Sequence, residues 1–380
     1  MRTLPKGQSS PQNGDATGKD YSSVATPVAT FFRPLRREDA TDTKEENLMP
    51  EIRQNRATKE WVIIATERAK RPDDFQQSEK KAPVPAFDPD CPFCPGNESQ
   101  TPGEIVSFRQ EGTQKDKPGW WVRIIPNKFA AVSPGMELMR ETEGFFLKMG
   151  GYGRHEVIIE SPQHNLSLGN MSLKQVEEVC LVYRKRYREL CADKDIKIVI
   201  IFRNHGKAAG TSLVHPHSQL IAMPLVPTHI RHLLEEATRY YDDHGSCVFC
   251  DMIKEELEFK KRVILETESF VAFSPFASQV PFGIWIVPKE HNAGFGNITT
   301  DEAKKLAYVL REVLSRLYTK LSDPDYNLVL HTAPIRDSNE DFYHWYIQIL
   351  PRLTTQAGFE LGSGVYINTS LPEETAEFLK

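Results

Sequence analysis

The chain has 380 residues, and its 47 lysines and arginines against 52 aspartates and glutamates give a formal net charge of −5. That length suits two ordinary domains or one internally duplicated unit. Without a basic excess the chain has no general attraction for polyanions, so composition argues against nucleic acid and membrane partners. No apolar run reaches the roughly 20 residues of a membrane-spanning helix. The N-terminus lacks the apolar core of a signal peptide, which predicts a cytoplasmic protein.

The N-terminal segment, residues 1–48, is rich in Ser, Thr, Asp, Lys and Pro and contains only short apolar patches. Such a segment cannot bury enough apolar surface to offset the entropy lost on ordering it. We therefore predict a disordered extension over residues 1–48. Met49 is expected to be the start of the folded protein, or even of translation.

Two stretches of the remaining chain carry the same order of elements. Each begins with a Cys-x-x-Cys pair, continues to a histidine at a strand end, and then has a capped helix, a further strand and a His-x-x-x-Gln segment. The helix caps are predicted at Ser172 and Thr299. A repeat of this kind predicts an internally duplicated α+β fold, in which each half is an antiparallel sheet that carries a long helix. We place the halves at 49–225 and 226–380.

The two Cys-x-x-Cys pairs predict two metal sites. Two thiolates on one turn supply half of the four ligands that zinc prefers, and in a reducing compartment such pairs indicate metal before disulfide. The predicted zinc ligands are Cys91, Cys94, His164 and His215 in the first half, and Cys247, Cys250, His291 and His344 in the second. Both sets are closed, which is typical of structural zinc. His331 remains an alternative ligand in the second half.

A His-Pro-His segment opens a predicted strand, where alternation puts His215, His217 and Gln219 on one face. Aligning the two halves on their Gln residues puts Tyr346 opposite His217, so the second half lacks this histidine. A neutral imidazole is a good nucleophile toward phosphorus. Chemistry is therefore expected at His217. The Gly-rich stretch 204–210 before it can bring backbone N–H groups close to a phosphate.

The sequence also resembles a known family. The motifs that carry the resemblance are Arg68-Ala69-Lys70-Arg71-Pro72, Cys91-Pro92-Phe93-Cys94, Pro126-Asn127, Ser161-Pro162-Gln163-His164, Asn204-x-Gly206 and Ser212-x-x-His215-Pro216-His217-x-Gln219. Together they are similar to the galactose-1-phosphate uridylyltransferase family, within the histidine-triad superfamily. The resemblance covers about Glu51 to Pro372. It implies a histidine-triad-like fold in each half and zinc at the first four predicted ligands.

The resemblance implies a ping-pong transfer of a nucleoside monophosphate. His217 would attack the α-phosphorus of a nucleotide sugar, form a nucleotidyl-histidine and release hexose 1-phosphate, and a second phosphate would accept the nucleotidyl group. Gln219 would hydrogen-bond the phosphoryl oxygens, and Ser212 would hold the flanking phosphate. The other residues implied to bind substrate are Arg68, Arg71 and Asn127 for the nucleotide, and Asn204, Gly206 and Gly210 for the flanking phosphate. Family members are commonly dimers with shared active sites, so a homodimer is expected.

Some features depart from the better-known bacterial members of that family. Leu213-Val214 replaces the usual Asn-Pro, and the second Cys pair and the tail 359–368 resemble a branch that includes plant ADP-glucose phosphorylase. In that branch Gly362, Gly364 and Tyr366 would line an acceptor phosphate pocket as a backbone anion site. The leading expectation is UDP-glucose with galactose 1-phosphate as acceptor. The nearest alternative is ADP-glucose phosphorolysis, and remoter ones are a zinc-stabilised binding module and a dinucleoside polyphosphate hydrolase or phosphorylase.

Overall fold

Ten strands of the described chain form one continuous antiparallel sheet, and each half of the sequence contributes five of them. The structure is a computed structural model that describes residues 49–65, 72–75 and 83–380. In chain order the strands are β1 Glu51–Gln54, β2 Trp61–Ile64, β3 Val106–Arg109, β4 Trp120–Pro126, β5 Arg140–Glu143, β6 Phe146–Met149, β7 Arg154–Ile159, β8 Ile198–His205, β9 His217–Met223, β10 Val263–Glu266, β11 Phe270–Phe273, β12 Ile284–Pro288, β13 Tyr326–His331, β14 Tyr346–Pro351 and β15 Tyr366–Asn368. The α-helices are α1 Leu173–Cys191, α2 Thr228–His244, α3 Val248–Phe259, α4 Thr300–Lys320, α5 Gly358–Ser363 and α6 Pro372–Leu379.

The large sheet shows the predicted duplication directly. From its two edges inward the strand order is β3-β4-β7-β9-β8 in the first half and β10-β11-β12-β14-β13 in the second. The halves join where β8 pairs with β13, from Tyr326 opposite His205 to Leu330 opposite Ile201. This pairing satisfies the backbone groups that two separate sheets would leave open at those edges. The predicted α+β duplication is therefore confirmed, with the two sheets merged into one.

The two long helices begin at the predicted caps. The Ser172 hydroxyl accepts from the N–H of Gln175 at the start of α1, and Thr299 and Glu302 form a complete capping box at the start of α4. Gln175 does not complete the box at α1, because its side-chain amide donates to the carbonyls of Trp121 and Glu160 instead. Each cap contributes about 1 kcal/mol.

One face of the sheet is covered by α1 and α4, and the opposite face carries the candidate sites. The apolar stripes of both helices join the helix-side residues of the strands in one core, which includes Val176, Tyr183, Leu220, Leu306 and Leu310. Along β9, alternation therefore sends Leu220 to the helices and leaves His217 and Gln219 on the opposite face. In the second half that opposite face is covered by α2 and α3.

Some predictions fall outside the described residues. These are the N-terminal extension over residues 1–48 and the two arginines Arg68 and Arg71. The proposed division at 225/226 falls between β9 and α2. Among the described residues, no helix is long and apolar enough to cross a membrane.

Candidate active site and metal centres

The first predicted metal set comes together as a buried cluster. The ligand atoms of Cys91, Cys94, His164 and His215 all lie within 4.8 Å of one another. Sγ of Cys94 is 3.6 Å from Nδ1 of His164 and 3.6 Å from Nδ1 of His215. A tetrahedral zinc ion, with bonds of about 2.3 Å to sulfur and about 2.0–2.1 Å to nitrogen, holds such atoms about 3.5 Å apart. These four residues therefore fit a four-coordinate metal ion.

A backbone carbonyl and burial hold His215 in the neutral tautomer that a metal ligand needs. Nε2 of His215 donates to the Ser161 carbonyl over 2.8 Å, which leaves Nδ1 unprotonated and directed at Cys94. Burial lowers the pKa of His215 to about 4, so the imidazole stays neutral. Burial also raises the pKa of Cys91 to about 11. A coordinated metal reverses that last shift, because metal-bound thiols are deprotonated.

The second predicted set is brought together in part. Cys247, Cys250 and His291 form a cluster within 4.8 Å, more open than the first. Sγ of Cys250 is 3.3 Å from Nδ1 of His291, whose Nε2 donates to the Glu340 carbonyl over 3.1 Å. The hydrogen bond between the two thiols lowers the pKa of Cys247 and raises that of Cys250. The cluster therefore presents an imidazole nitrogen directed at one of its two sulfurs.

His344 lies beside that cluster rather than among its close ligand atoms. Its ring is 5.4 Å from the ring of His291, compared with 5.3 Å between His164 and His215 in the first cluster. Nδ1 of His344 donates to the Trp345 carbonyl over 2.9 Å, which leaves Nε2 unprotonated. Nε2 is buried without a hydrogen-bond partner among the described atoms, a state that suits a metal ligand.

His331, the alternative ligand, is engaged elsewhere. Its Nε2 donates to Oε1 of Gln348 over 2.9 Å, and its ring stacks on Tyr346 with the centroids 4.5 Å apart. His331 is not part of the second cluster. His344 therefore remains the better candidate for the fourth ligand.

His217 is the first residue of β9, and His215 lies just before the strand rather than within it. Nδ1 of His217 donates to the His215 carbonyl over 2.8 Å, so Nε2 carries the free lone pair. Burial lowers the pKa of His217, which keeps the ring neutral. Phe93, between the cysteines of the first cluster, packs its ring against that of His217 at 5.5 Å. A neutral ring with its proton on Nδ1 and a free lone pair on Nε2 is the state that a nucleophilic imidazole needs.

A cavity of about 510 Å³ opens beside His217. Its lining includes three of the residues predicted to hold the flanking phosphate, Asn204, Gly206 and Ser212, and Ser212 is exposed. The volume lies in the range of about 300–1,000 Å³ that small-molecule sites occupy. The structure thus brings the predicted nucleophile and part of the predicted phosphate site together.

In the Gly-rich stretch 204–210, several of the backbone N–H groups predicted to approach a phosphate are engaged within the protein. The N–H of Ala208 donates to the Asp325 carboxylate over 2.7 Å. The next three N–H groups, of residues 209–211, donate to carbonyls within the loop. Asn327 further holds the loop through bonds to Asn204 and to the Ala209 carbonyl. The prediction missed that Asp325 and Asn327, just before and within β13, hydrogen-bond to this stretch.

Gln219 lies on the open face of β9, as predicted, and is held by two neighbours. Its Oε1 is 2.8 Å from Nε2 of His155 and 3.2 Å from Nδ2 of Asn127. Asn127, predicted to hold the nucleotide, therefore contacts the predicted phosphate-binding glutamine. His155 was not identified from the sequence, although its position at the start of a predicted strand was a signal.

Two of the tail residues predicted to bind the acceptor, Gly364 and Tyr366, lie at a second cavity. Gly364 ends α5 in a left-handed conformation, and with Tyr366 it lines a cavity of about 570 Å³ beside Gln348. The lining of the His217 cavity does not include residues 362–366. Gly364 and Tyr366 therefore line a different cavity from the one beside His217.

Comparisons with known proteins match nearly the whole folded chain. Residues 39–227 match the family model of the galactose-1-phosphate uridyl transferase N-terminal domain, and residues 234–369 match that of the C-terminal domain. The ADP-glucose phosphorylase of Arabidopsis thaliana is 35% identical over 88% of this chain and 93% of that protein. The galactose-1-phosphate uridylyltransferase of Thermotoga maritima is 30% identical over 87% of this chain and 98% of that protein.

Solved structures agree with these matches. A crystal structure of an ADP-glucose phosphorylase from Arabidopsis thaliana with bound ADP-glucose superimposes with a TM-score of 0.71 at 32% identity, over 87% of this chain and 98% of that one. Fold, site and matches together define an enzyme of the nucleotidyltransferase class, as the sequence predicted. More narrowly, the chain belongs to the galactose-1-phosphate uridyl transferase family, which confirms the resemblance.

Proposed function

We propose that this enzyme transfers a nucleoside monophosphate from a nucleoside-diphosphate hexose to a phosphate acceptor through a covalent bond to His217. The observation that carries the proposal is the hydrogen bond from Nδ1 of His217 to the His215 carbonyl, which leaves Nε2 as a neutral nucleophile. The geometry supports a two-step displacement better than direct transfer between substrates, because the buried imidazole is fixed in one tautomer beside a substrate-sized cavity.

In the first step the Nε2 lone pair attacks the α-phosphorus. A P–N bond forms, and the bond from the α-phosphorus to the bridging oxygen breaks, so that hexose 1-phosphate leaves with the electron pair. The ring keeps its Nδ1 proton, and the His215 carbonyl stabilises the positive charge that develops. In the second step an oxygen of the acceptor phosphate attacks the phosphorus, the P–N bond breaks, and neutral His217 returns.

Gln219 is proposed to hydrogen-bond the phosphoryl oxygens during both steps. It lies two residues from His217 on the same face of β9, and its amide oxygen is already occupied by two donors. Its amide NH₂ is therefore the group left to bind an anionic oxygen. Asn204 and the exposed Ser212, both in the cavity lining, are proposed to hold the flanking phosphate.

The leading reaction is uridylyl transfer from UDP-glucose to galactose 1-phosphate, in keeping with the family and with its uridylyltransferase members. The second candidate is ADP-glucose phosphorolysis, in which inorganic phosphate accepts AMP. Two observations favour the second: the 35% identity to an ADP-glucose phosphorylase, and the second Cys/His cluster. The histidine chemistry is the same in both.

Zinc is the proposed occupant of both Cys/His clusters. Two thiolates and two imidazoles are the ligand set of structural zinc sites, and such sites leave no position open for substrate. A metal at the first cluster would cross-link the Cys91–Cys94 turn to His215 and so fix the carbonyl that orients His217.

We also propose a homodimer and a cytoplasmic location. The β5–β6 hairpin and its surroundings expose large apolar side chains, among them Phe129, Phe145 and Phe146 at 85%, 97% and 75% exposure. A homodimer that covers them, with residues 362–366 of one subunit completing the His217 cavity of the other, would reconcile the separated tail with the proposed chemistry. None of the six cysteines is paired in a disulfide, which supports a reducing compartment.

The test is the intact mass of the purified enzyme after separate incubation with UDP-glucose and with ADP-glucose. A UMP-sized adduct supports uridylyl transfer, and an AMP-sized adduct supports the phosphorylase. Either adduct must be absent in His217→Gln that retains the wild-type metal content. If the metal-loaded wild type forms no adduct with either donor, the proposed function is wrong.

A further inference from the structure

We propose that His155 is a positioning residue that sets the orientation of the Gln219 side-chain amide for nucleotidyl transfer. The inference rests on the proposed function and adds a residue to it. An amide has a donor end and an acceptor end of nearly equal shape, so its orientation must be fixed by its neighbours. Four hydrogen bonds on the open face of the sheet fix it here.

The first pair of bonds fixes the tautomer of His155. The backbone N–H of Ala131 lies 3.0 Å from Nδ1 of His155. A backbone N–H can only donate, so Nδ1 must be the unprotonated nitrogen and Nε2 must carry the hydrogen of the neutral ring. Nε2–H then donates to Oε1 of Gln219 over 2.8 Å.

The second pair fixes Asn127 in the same way. The backbone N–H of Phe129 donates to Oδ1 of Asn127 over 2.9 Å, so the other end of this amide is the donor Nδ2. Nδ2 is 3.1 Å from Nε2 of His155 and 3.2 Å from Oε1 of Gln219. Two donors cannot bond each other, and both therefore serve the Gln219 oxygen.

The consequence is that both lone pairs of the Gln219 oxygen are engaged, so its NH₂ group is the end of the amide left to bind a phosphoryl oxygen. A reversed amide would present an oxygen to an anionic phosphoryl group and would repel it. A fixed donor stabilises the extra negative charge of the transition state without reorganisation. His155 thus acts on the reaction through Gln219 and without contact to substrate.

The second half of the molecule offers an internal comparison. The register pairs Val157 with Gln219 and Trp285 with Gln348, so Gly283 stands where the first half has His155. A Cβ at Gly283 would lie 2.4 Å from Oγ of Ser278, so that side chain would have to move to admit one. The half that has Tyr346 in place of the nucleophile thus lacks a histidine at this position, and its glutamine oxygen accepts instead from Nε2 of His331 on β13.

The test compares His155→Phe with His155→Gln. Phenylalanine keeps a planar ring of similar size and removes both nitrogens, whereas the amide NH₂ of glutamine reproduces the donor at Nε2. We expect His155→Phe to slow single-turnover formation of the nucleotidyl-enzyme by about tenfold to a hundredfold, less than the loss of a direct oxyanion donor. His155→Gln should recover most of the rate, and the dissociation constant of the nucleotide sugar should change less than the rate.

A double-mutant cycle separates positioning from a structural role. In a Gln219→Ala background, His155→Phe should have no further effect on the rate, because the group that it orients is gone. An equal loss in both backgrounds would overturn the inference, as would a wild-type rate for His155→Phe in a wild-type background.

Asn127→Asp provides a second route if His155→Phe does not fold. The aspartate would turn the donor that faces Gln219 into an acceptor and favour the reversed amide. Its rate should therefore be lower than that of Asn127→Ala, and equal rates would count against the inference. Failure of the wild type to form any adduct would instead refute the proposed function, so the two failures are distinguishable.

Discussion

Nδ1 of His217 lies 2.8 Å from the carbonyl oxygen of His215, so the proposed nucleophile is oriented by the backbone of a proposed metal ligand. The side chain of His215 points to Cys94, and its carbonyl points to His217. The side chain of His215 thus belongs to the metal centre, and its backbone carbonyl orients the reactive imidazole of His217. Disturbing the first should disturb the second, although no metal contact to substrate is proposed.

Cys94→Ser should therefore impair both stability and chemistry. We expect the loss of about one metal equivalent per chain and a fall of more than about 4 kcal/mol in the free energy of unfolding, because a lost structural metal belongs to the largest class of effects. Formation of the nucleotidyl-enzyme should fall in parallel. Metal analysis, urea unfolding and intact mass measure the three effects. Cys191→Ser, at a half-buried thiol outside both clusters, is the control and should retain the metal.

Cys250→Ser tests the second cluster. We expect loss of the other metal equivalent and lower stability, but formation of the nucleotidyl-enzyme within about threefold of wild type, because His217 lies in the other half of the sheet. His344→Ala should lose the same metal equivalent. Retention of two equivalents in His344→Ala would show that His344 is not the fourth ligand.

Gly206→Ala and Gly210→Ala form a matched pair of variants in the Gly-rich stretch 204–210. Both glycines have positive φ, at 82° and 86°, but a Cβ at Gly206 would lie 1.9 Å from Oδ1 of Asp325, whereas a Cβ at Gly210 meets open space. Gly206 also has ψ of 162°, a region that essentially only glycine occupies. We expect Gly210→Ala to cost about 1 kcal/mol and Gly206→Ala about 3 kcal/mol or more in unfolding free energy. Equal costs would show that Asp325 yields easily.

His331 should make the stability depend on pH. Burial lowers its pKa from 6.5 to about 4 in the folded protein. Below pH 6.5 the unfolded chain binds a proton that the folded protein does not, so stability falls as the pH drops from about 6.5 to about 4. For a fully buried ring, this pKa shift corresponds to a loss of about 3 kcal/mol in the free energy of unfolding. Because the His331 ring is partly exposed, we expect a loss of about 1–2 kcal/mol.

The measurement is urea unfolding of wild type and His331→Gln across that pH range. The variant should lose this part of the pH dependence, while His244→Gln, at an exposed ring near the end of α2, should retain it. A wild-type slope in His331→Gln would assign the pH dependence to other groups.

The sequence was sufficient for features that depend on local pattern. The caps at Ser172 and Thr299 lie where predicted, because a cap needs only a few neighbouring residues. Cys91 and Cys94 are close in any turn, and the repeat pointed to His164 and His215 as their partners. The side chains of His217 and Gln219 share a face because strand alternation has a fixed period.

The sequence was not sufficient where a group's partner comes from a distant strand. The N–H group of Ala208 in the Gly-rich stretch donates to Asp325, more than a hundred residues away, and no local pattern reveals this. His155 contacts Gln219 only because β7 pairs with β9 in one particular register. A one-residue slip would place it on the other face of the sheet.

The sequence by itself determined the duplicated α+β plan, the family, and which residues are the candidate metal ligands and nucleophile. Caps, Cys pairs and strand alternation act over short distances along the chain. The tertiary structure decided that the two sheets join at β8 and β13, that His344 stands beside its cluster, and that Gly364 and Tyr366 line a different cavity from His217. The physical reason is that hydrogen-bond partners, tautomers and burial depend on which distant strands pair and in which register.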